Sequence, residues 1–421
     1  MNIIECARDF VKRLLSPADP RCCPYCQHRM TKKHGFYTVA IRELGGVRQE
    51  KVQRYWCHLC QRSYRPPDPR RAVRARYARE VQRKALDLYV HVGASLRQVA
   101  EWLRSEINRG TERSLIWNPL LRLYPPPQNL ARLHSSTVWR WKQKAAQLVQ
   151  EHARQNRFHK LIRFSGAMVA DATTVGIRGL HLPLHLIADA TTRVGLAVRR
   201  LRKATETVIA GQFRLVLDCW GLLAEEVRVL ISDGATYYRY VLDRVLRWAK
   251  QQRSLFHLWR NIQPFLQAFA EHAADETMDL LMDAIHAVWD ASSLQEAQEA
   301  FTALQDQWAH IPALQPAIQL IGKTLQEALL HTSQVVDGMG RTSNVAERFF
   351  RRYRQRVRRM GCFMSSGGCD AFNLIWQMYI NLEPYQLRRE RKRHYRHPGW
   401  CPLQVAGADI KAVTWLDAVG I

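Results

Sequence analysis

The pattern of apolar and polar residues divides the chain into a β-rich middle and helical flanks. Three apolar runs, MVADATTV, LPLHLIADAT and GLAVRRL, follow one another after Ile162, and a fourth, VRVLISD, comes later. They have the length and the branched side chains of buried strands. Helical patterns are predicted over residues 205–217 and 237–250. Strands and helices that alternate at this spacing predict an α/β fold with a mixed sheet flanked by helices.

The remaining segments differ from this core in composition. Residues 21–66 carry paired cysteines, and the stretch from 262 contains almost no glycine and many Ala, Leu and Gln residues, which predicts a helical insertion. We therefore divide the chain into an N-terminal helix (1–20), a cysteine module (21–66), a helical module (74–157), the first part of an α/β domain (160–261), a helical insertion (262–340), its second, helical part (341–386) and a basic C-terminal tail (387–421).

The net charge indicates a polyanionic partner. Lys and Arg total 63 against 37 acidic residues, so the formal charge is +26, and it is spread over several modules. A compact protein with such an excess repels itself unless a polyanion neutralises it, which favours nucleic acid as the partner. No apolar run has the roughly 20 residues of a membrane span, so we expect no membrane partner and a cytoplasmic, nucleoid-associated protein.

The cysteine module has the spacing of a zinc ribbon. Cys23 and Cys26 form one CxxC pair and Cys57 and Cys60 a second, and a predicted β-hairpin with a Gly45–Gly46 turn lies between them. Four thiolates at this spacing suit a structural Zn²⁺, and two pairs around one hairpin disfavour a redox motif. Cys22 is an alternative to Cys23. Positive charge on the hairpin indicates DNA contacts through Arg48, Lys51 and Arg54, whereas a purely structural ribbon is the alternative.

The helical module contains two segments with the pattern of a helix-turn-helix. Residues 95–103 (SLRQVAEWL) suit its first helix, and residues 134–149 suit a recognition helix. Residues 104–133 separate the two helices by far more than the usual turn, so either an insertion interrupts the motif or the helices belong to different units. Trp139 and Trp141 are interpreted as packing residues. The side chains expected to face a DNA groove are Thr137, Arg140, Lys142 and Lys144.

Three acidic residues form the candidate catalytic group. Asp171 ends the first strand, Asp233 closes the fourth, and Glu347 lies on a basic helix. In an RNase H-like sheet the first and fourth strands are neighbours, so the two aspartates would lie side by side and a crossing helix would add the glutamate. Three carboxylates can hold two Mg²⁺ or Mn²⁺ ions that activate a nucleophile on a phosphodiester and stabilise the leaving oxygen. Asp189 has the same Asp-Ala-Thr-Thr context as Asp171 and is an alternative first ligand.

The residues around these acids resemble the DDE transposases of bacterial insertion sequences, and in particular those related to the Mutator-like group. The resemblance is carried by VADATTV, ISDGA, FHLWRNI and, above all, GRTSNVAERFFRRYRQRVRRMGCF from Gly340 onward. It extends over about residues 160–385. It implies that Asp171, Asp233 and Glu347 bind the metals, that an all-helical insertion precedes the glutamate, and that the enzyme cleaves the 3′ ends of a mobile element and joins them to target DNA.

The same resemblance implies double-stranded DNA as the partner, as terminal inverted repeats and as target, and a homodimer or larger synaptic oligomer. Relatives often place a Cys and a His after the second Asp, whereas here His257 has no nearby Cys. It would act near the scissile phosphate or pack beneath it. Further phosphate contacts are expected from Arg341, Asn344, Arg348 and Arg351. The alternatives are an RNase H-like nuclease or resolvase, or a DNA-binding regulator derived from a transposase that lacks catalysis.

Overall fold

The computed structural model describes residues 21–66, 76–117, 133–333, 335–336, 340–384, 399–410 and 413–420. The helix predicted over residues 1–20 lies outside them. The chain forms two compact units. The first comprises Met1–His152, Arg354–Tyr379 and Ile410–Ile421, and the second comprises Ala153–Tyr353 and Ile380–Asp409.

The first unit begins with a three-stranded antiparallel sheet. Its strands are β1 (Thr31–Glu43), β2 (Gly46–Cys57) and β3 (Ser63–Tyr64), in that order. The predicted hairpin is confirmed, but its turn consists of Leu44 and Gly45, because Gly46 already pairs with Glu43 as the first residue of β2. Gly45 has a φ of +90°, in the left-handed region that a residue without Cβ adopts at little cost.

The helical module contains α1 (Arg79–Asp87), a π-helical turn (Leu88–Val92), α2 (Leu96–Trp117) and α3 (Ser135–Arg154). Ser95 and Gln98 cap α2 reciprocally: the Ser95 N–H donates to Gln98 Oε1 (2.8 Å) and the Gln98 N–H donates to Ser95 Oγ (3.3 Å). Much of the long separation seen in sequence is thus the continuation of α2 to Trp117, and residues 118–132 lie outside the described part.

The second unit contains a five-stranded sheet. Its strands are β4 (Ala167–Ile177), β5 (Leu180–Asp189), β6 (Gly195–Arg200), β7 (Val229–Ser232) and β8 (Lys250–Arg253), and their spatial order is β6-β5-β4-β7-β8. β4 to β6 are antiparallel neighbours, whereas β7 runs parallel to both β4 and β8. The predicted mixed sheet is therefore confirmed, with the first and fourth strands as neighbours.

Two helices link the strands of this sheet, α4 (Glu206–Trp220) and α5 (Thr236–Arg244). The prediction of a helix as far as residue 250 was wrong, because the chain turns into β8, whose sequence is KQQR. The strand is polar because its fully buried Gln252 serves as a hydrogen-bonding group. Its side-chain amide donates to the Ala328 carbonyl (2.7 Å), and its Oε1 accepts from the His331 N–H (2.8 Å).

The insertion consists of α6 (Leu255–Ala270), α7 (Asp275–Trp289), α8 (Leu294–Trp308) and α9 (Gln315–Ala328). It begins at Leu255, earlier than residue 262 as predicted, because α6 follows β8 directly. The helices bury an apolar cluster of their own, which includes Ile262, Leu281, Ile285, Leu304 and Ile321. Because the four helices have a core of their own, they can be inserted into the α/β domain without contributing residues to its sheet.

The chain continues after the insertion with α10 (Asn344–Met360), α11 (Ser366–Leu382), α12 (Pro402–Val405) and α13 (Trp415–Ala418). The predicted C-terminal tail is packed where it is described, since Leu403, Trp415 and Val419 are buried. Residues 385–398, which contain its basic run, lie outside the described part. No described helix combines the length and the apolar character needed to cross a bilayer.

Asp189 closes the connection from β5 to β6. Its Oδ1 accepts from the backbone N–H groups of Thr191 (2.9 Å) and Thr192 (2.8 Å), and its Oδ2 accepts from that of Ser165 (2.8 Å). Asp189 is fully buried and pairs with Met168, three residues along β4 from Asp171, which is about 10 Å at the rise of a strand. Its oxygens are occupied by backbone donors, which disfavours Asp189 as a metal ligand.

We expect Asp189→Ala to destabilise the second unit by about 2–4 kcal/mol, because it leaves buried backbone N–H groups without acceptors. Asp189→Asn should cost less, because its amide oxygen still accepts from the turn. Thermal unfolding measures both, with Asp243→Ala, an exposed aspartate on α5, as the control. An unfolding midpoint of Asp189→Ala equal to that of the control would contradict this role.

Candidate metal and carboxylate sites

The four cysteines of the first unit form a metal-sized cluster. The ligand atoms of Cys23, Cys26, Cys57 and Cys60 all lie within 4.8 Å of one another. The Cys23 and Cys60 sulfurs are 3.6 Å apart, and those of Cys26 and Cys57 are 3.5 Å apart. Sulfurs placed at about 2.3 Å from a tetrahedral Zn²⁺ have nearly this separation. The cluster is therefore compatible with the predicted zinc site.

The surroundings of the four cysteines favour the thiolate form of one of them, Cys57. The backbone N–H of Cys60 directed at Cys57 lowers the pKa of the Cys57 thiol to about 7, whereas burial raises the pKa of Cys60 to about 12. A bound cation would compensate for the burial of negative charge that otherwise keeps Cys60 protonated. Cys22 lies outside the cluster, and its thiol points to the Gln27 carbonyl (3.4 Å). Cys23, and not Cys22, thus completes the set.

The second unit brings the two predicted aspartates to neighbouring positions. β4 and β7 pair in parallel, and the last pair in their register joins Val169 to Ile231. Asp171 and Asp233 each lie two residues further on, so both lie at the same end of this pairing. Asp171 does not end its strand as predicted, because β4 continues to Ile177, whereas Asp233 directly follows the last residue of β7. Neighbouring strands are about 4.8 Å apart, so the register brings two aspartates that are distant in sequence to one end of the strand pair.

The backbone at Asp233 is bent sharply away from the strand. Asp233 Oδ1 accepts from the Ala235 N–H (2.9 Å), and Gly234 has a φ of +80°. The first turn of α5 then carries Tyr237 over the site. Burial raises the pKa of Tyr237 to about 12, with further contributions from the charges of Asp233 and Asp171. Both carboxylates thus act on one phenol, which stays protonated.

His257 lies beside the aspartate of β4. Its Nε2 is 3.9 Å from Asp171 Oδ2, and its side chain is 20% exposed. The α6 helix begins two residues earlier, immediately after β8, and this position directs its first turn toward the carboxylates. Of the two possibilities left open by the sequence, the geometry favours a histidine at the site over one that only packs beneath it.

Three buried serines connect the segments that carry Asp233, His257 and Glu347. The Ser254 N–H, at the start of α6, donates to the carbonyl of Ser232, the last residue of β7 (2.9 Å). Ser254 Oγ accepts from the Ser343 N–H (3.2 Å), and the two hydroxyl oxygens are 3.1 Å apart. Ser343 precedes α10, and its carbonyl accepts from the Glu347 N–H (3.1 Å). This serine cluster fixes the start of α10 against the carboxylate edge of the sheet.

Glu347 itself is partly exposed and has an arginine partner. Arg351, one turn further along α10, donates to Glu347 Oε1 at 2.9 Å. Among the described residues, the four cysteines are the only group of three or more His, Cys, Asp or Glu residues whose ligand atoms all lie within 4.8 Å of one another, so Asp171, Asp233 and Glu347 are not gathered that tightly. The structure brings the two aspartates to one strand edge and ties the glutamate helix to it. The donors offered are all carboxylate oxygens, which suit Mg²⁺ or Mn²⁺.

The residues predicted to contact phosphate differ in whether an acidic side chain already binds them. Arg341 Nη1 donates to Oδ1 of Asp290, the residue after α7, at 2.7 Å, and Arg351 is held by Glu347. Asn344 and Arg348 are exposed at the start of α10. On the hairpin, Arg48 pairs with Glu43 (2.8 Å). The other two cations predicted to contact DNA there also contact neighbours within the sheet, since Lys51 lies over the Phe36 ring and Arg54 donates to Ser63.

The exposed face of α3 is the basic surface that agrees best with the sequence. Arg140 and Lys144 are exposed, and Thr137 is half-buried. Arg140 and Lys144 border a shallow pocket of about 420 Å³ that Trp139, Gly367 and Gly368 also line. Trp139, interpreted above as a core or interface packing residue, is 44% exposed, so it does not belong to the core, and packing at an interface stays a prediction.

Lys142 does not face a groove, contrary to the prediction. It is 2% exposed, its Nζ donates to the Gly368 carbonyl (3.2 Å), and it lies over the Tyr89 ring. Burial lowers the pKa of Lys142 to about 8. The helical period explains the error, because positions 138, 142, 145 and 149 form the buried face of α3.

Several residues at the carboxylate site escaped the sequence analysis. Ser254 stands three residues before His257, and its small polar side chain in an otherwise unassigned stretch gave no signal of its burial. Tyr237 follows Asp233 by four residues in a helical pattern and was a visible candidate. Arg253 gave no signal, because the strand that carries it is polar throughout.

A comparison with known protein families matches a segment of the chain that contains most of this site. Residues 220–371 match the family model described as "Transposase, Mutator family". The segment includes Asp233, His257, the insertion and Glu347, and it begins after Asp171. It covers less than half of the chain and does not include the cysteine module. No curated protein matches the chain.

We expect the purified chain to contain one Zn²⁺ bound by the cysteine cluster. Cys57→Ser should lose the metal and unfold the hairpin, because a three-ligand site in this sheet no longer offsets the cost of ordering it. Metal analysis and the absorption spectrum of the Co²⁺-substituted chain measure this. Cys22→Ser is the matched control and should keep full metal content. Loss of metal in the control alone would contradict the assignment.

We further expect Ser254→Ala to loosen the start of α10, because it removes the acceptor of the Ser343 N–H and the partner of its hydroxyl. Hydrogen–deuterium exchange of peptides that cover residues 340–350 should become at least about tenfold faster, the equivalent of roughly 1.4 kcal/mol. Ser343→Ala, which keeps its N–H, should show a smaller effect. Ser293→Ala, which removes the cap of α8, is the control and should leave these peptides unchanged.

Proposed function

We propose that the chain is a Mutator-like transposase, which the match of residues 220–371 to that family model supports. It cleaves the 3′ ends of a mobile element and joins them to target DNA with two divalent cations. The observation that carries this proposal is the parallel pairing of β4 with β7, because Asp171 and Asp233 each lie two residues beyond its last pair, Val169 with Ile231. The strand order, with the first strand between the second and the fourth, supports an RNase H-like catalytic domain.

Asp171, Asp233 and Glu347 would hold the cations, Mg²⁺ or Mn²⁺. When bound, these ions would lower the pKa of the attacking water or 3′-hydroxyl and stabilise the leaving oxygen. The serine cluster would keep the Glu347 helix in place, since a displacement of about 1 Å at such a site can cost roughly 100-fold in rate. His257, beside Asp171, is positioned to contact the substrate or to orient that carboxylate.

The proposed partner is double-stranded DNA. The net charge of +26 supports binding to a polyanion, and the exposed cations Arg140 and Lys144 on α3 would contact its backbone. Arg348 and Asn344 would contact DNA near the carboxylates. Recognition of terminal inverted repeats and pairing of two ends would require a dimer or a larger assembly, as in other enzymes that join two DNA ends.

We expect Asp233→Asn to abolish cleavage and strand transfer, at least about 1000-fold, while end binding is retained, because one cation ligand is lost but no DNA contact. The assays are single-turnover cleavage of labelled end DNA in Mg²⁺ and a binding titration of the same DNA. Asp189→Asn, at the end of β5, is the matched control for a change of charge.

The same experiment separates the alternatives. A nuclease or resolvase would cleave without joining ends to target DNA. A transposase-derived regulator would bind DNA, and neither the wild type nor Asp233→Asn would cleave it. Equal cleavage by the wild type and Asp233→Asn would contradict the proposed role of this residue.

A further inference from the structure

Arg253 lies against the carboxylate edge of the sheet. It is the last residue of β8 and pairs with Ser232, the residue before Asp233. A Cβ added to Gly234 would lie 2.7 Å from Arg253 Cζ and 2.8 Å from its Nε. The guanidinium therefore covers the backbone of Gly234, and only glycine leaves room for it. The sharp bend after Asp233 thus also makes space for a cation.

The hydrogen-bonding capacity of this guanidinium is not used within the described residues. Arg253 Nε is buried without a hydrogen-bond partner there, and no described carboxylate pairs with Arg253 within 4.0 Å. Other arginines of the unit do have acidic partners: Arg341 pairs with Asp290 and Arg352 pairs with Glu383. A partly buried guanidinium with an orphaned donor is costly, and a ligand that accepts from it would remove that cost.

We propose that Arg253 is a catalytic residue that binds a non-bridging oxygen of the DNA phosphate on which the carboxylates act. This inference rests on the proposed function. The planar fork of a guanidinium matches two oxygens of one phosphate and remains protonated throughout, so it stabilises negative charge without a proton transfer. Its position beside Asp233 places that charge where a phosphodiester would gain charge during the reaction.

A second arginine of the same sheet provides a matched control. Arg228 covers Gly166 in the same manner, since a Cβ added to Gly166 would lie 2.8 Å from Arg228 Nε. It precedes β7, at the end of that strand opposite to Asp233. Both arginines thus pack on a glycine backbone, and only Arg253 lies at the carboxylate edge. The two arginines differ in burial, since Arg228 is exposed and Arg253 is half-buried.

The test compares Arg253→Gln, Arg253→Lys and Arg228→Gln in single-turnover cleavage of end DNA with Mg²⁺. We expect Arg253→Gln to be about 100-fold slower, as for the loss of one charged donor to a developing oxyanion. Arg253→Lys should be about tenfold slower, because it keeps the charge and loses the fork. Arg228→Gln should cleave within about threefold of the wild type. Added guanidinium ion should accelerate Arg253→Ala and leave Arg228→Ala unchanged.

The outcomes are separable. If Arg253→Gln cleaves as fast as Arg228→Gln, the role of Arg253 is wrong and the proposed function stands. If Arg253→Gln unfolds at a lower temperature than the wild type, its slower cleavage could reflect lost stability. The test is then whether added guanidinium ion accelerates cleavage by Arg253→Ala, and no acceleration overturns the inference. If the wild type shows no metal-dependent cleavage, or cleaves no better than Asp233→Asn, the proposed function fails and this role of Arg253 fails with it.

Discussion

The parallel pairing of β4 with β7 is the contact on which the candidate site depends. It sets two carboxylates at one strand edge, and Asp171 is only 8% exposed there. Like charges this close disfavour each other, and burial adds a desolvation cost. Such an arrangement costs the fold stability unless a cation offsets the charge, which supports the proposed cation site. Asp189 shows the contrast, because the same residue type at the end of β5 is saturated by backbone donors and stabilises a turn.

The rest of the second unit attaches to this edge through short connections. β8 lies beside β7, α6 begins directly after β8, and the serine cluster returns the chain to the same point after the insertion. Gln252 fastens the end of α9 to β8 through the Ala328 carbonyl. Both ends of the insertion are thus anchored at one strand, and its helices bury their own core. This explains how more than a hundred residues of sequence can separate Asp233 from Glu347 without separating their elements.

Much of this could be predicted from sequence, for identifiable reasons. Buried strands are continuous apolar runs, so β4, β5, β6 and β7 were visible, and acids that end such runs stood out. The spacing of the two CxxC pairs predicted that the four cysteines would form a cluster. β8 could not be found, because KQQR owes its strand state to pairing with β7 and to the buried amide of Gln252. Lys142 was misjudged for a related reason: charge suggested exposure, whereas its place in the helical period is internal and its ammonium is satisfied by a carbonyl and a ring.

The ion pair between Glu347 and Arg351 raises the question of whether that glutamate is available to a metal. The pair joins positions i and i+4 of α10, and the arginine side chain is 63% exposed. Exposed pairs of this kind are worth only about 0.3–0.5 kcal/mol. A divalent cation that bridges carboxylates binds far more strongly, since its charge is doubled and its distance to oxygen is about 2.1 Å. The ion pair with Arg351 is therefore compatible with the proposed role of Glu347 as a cation ligand, and Arg351 would be free to contact phosphate once the carboxylate bound a cation.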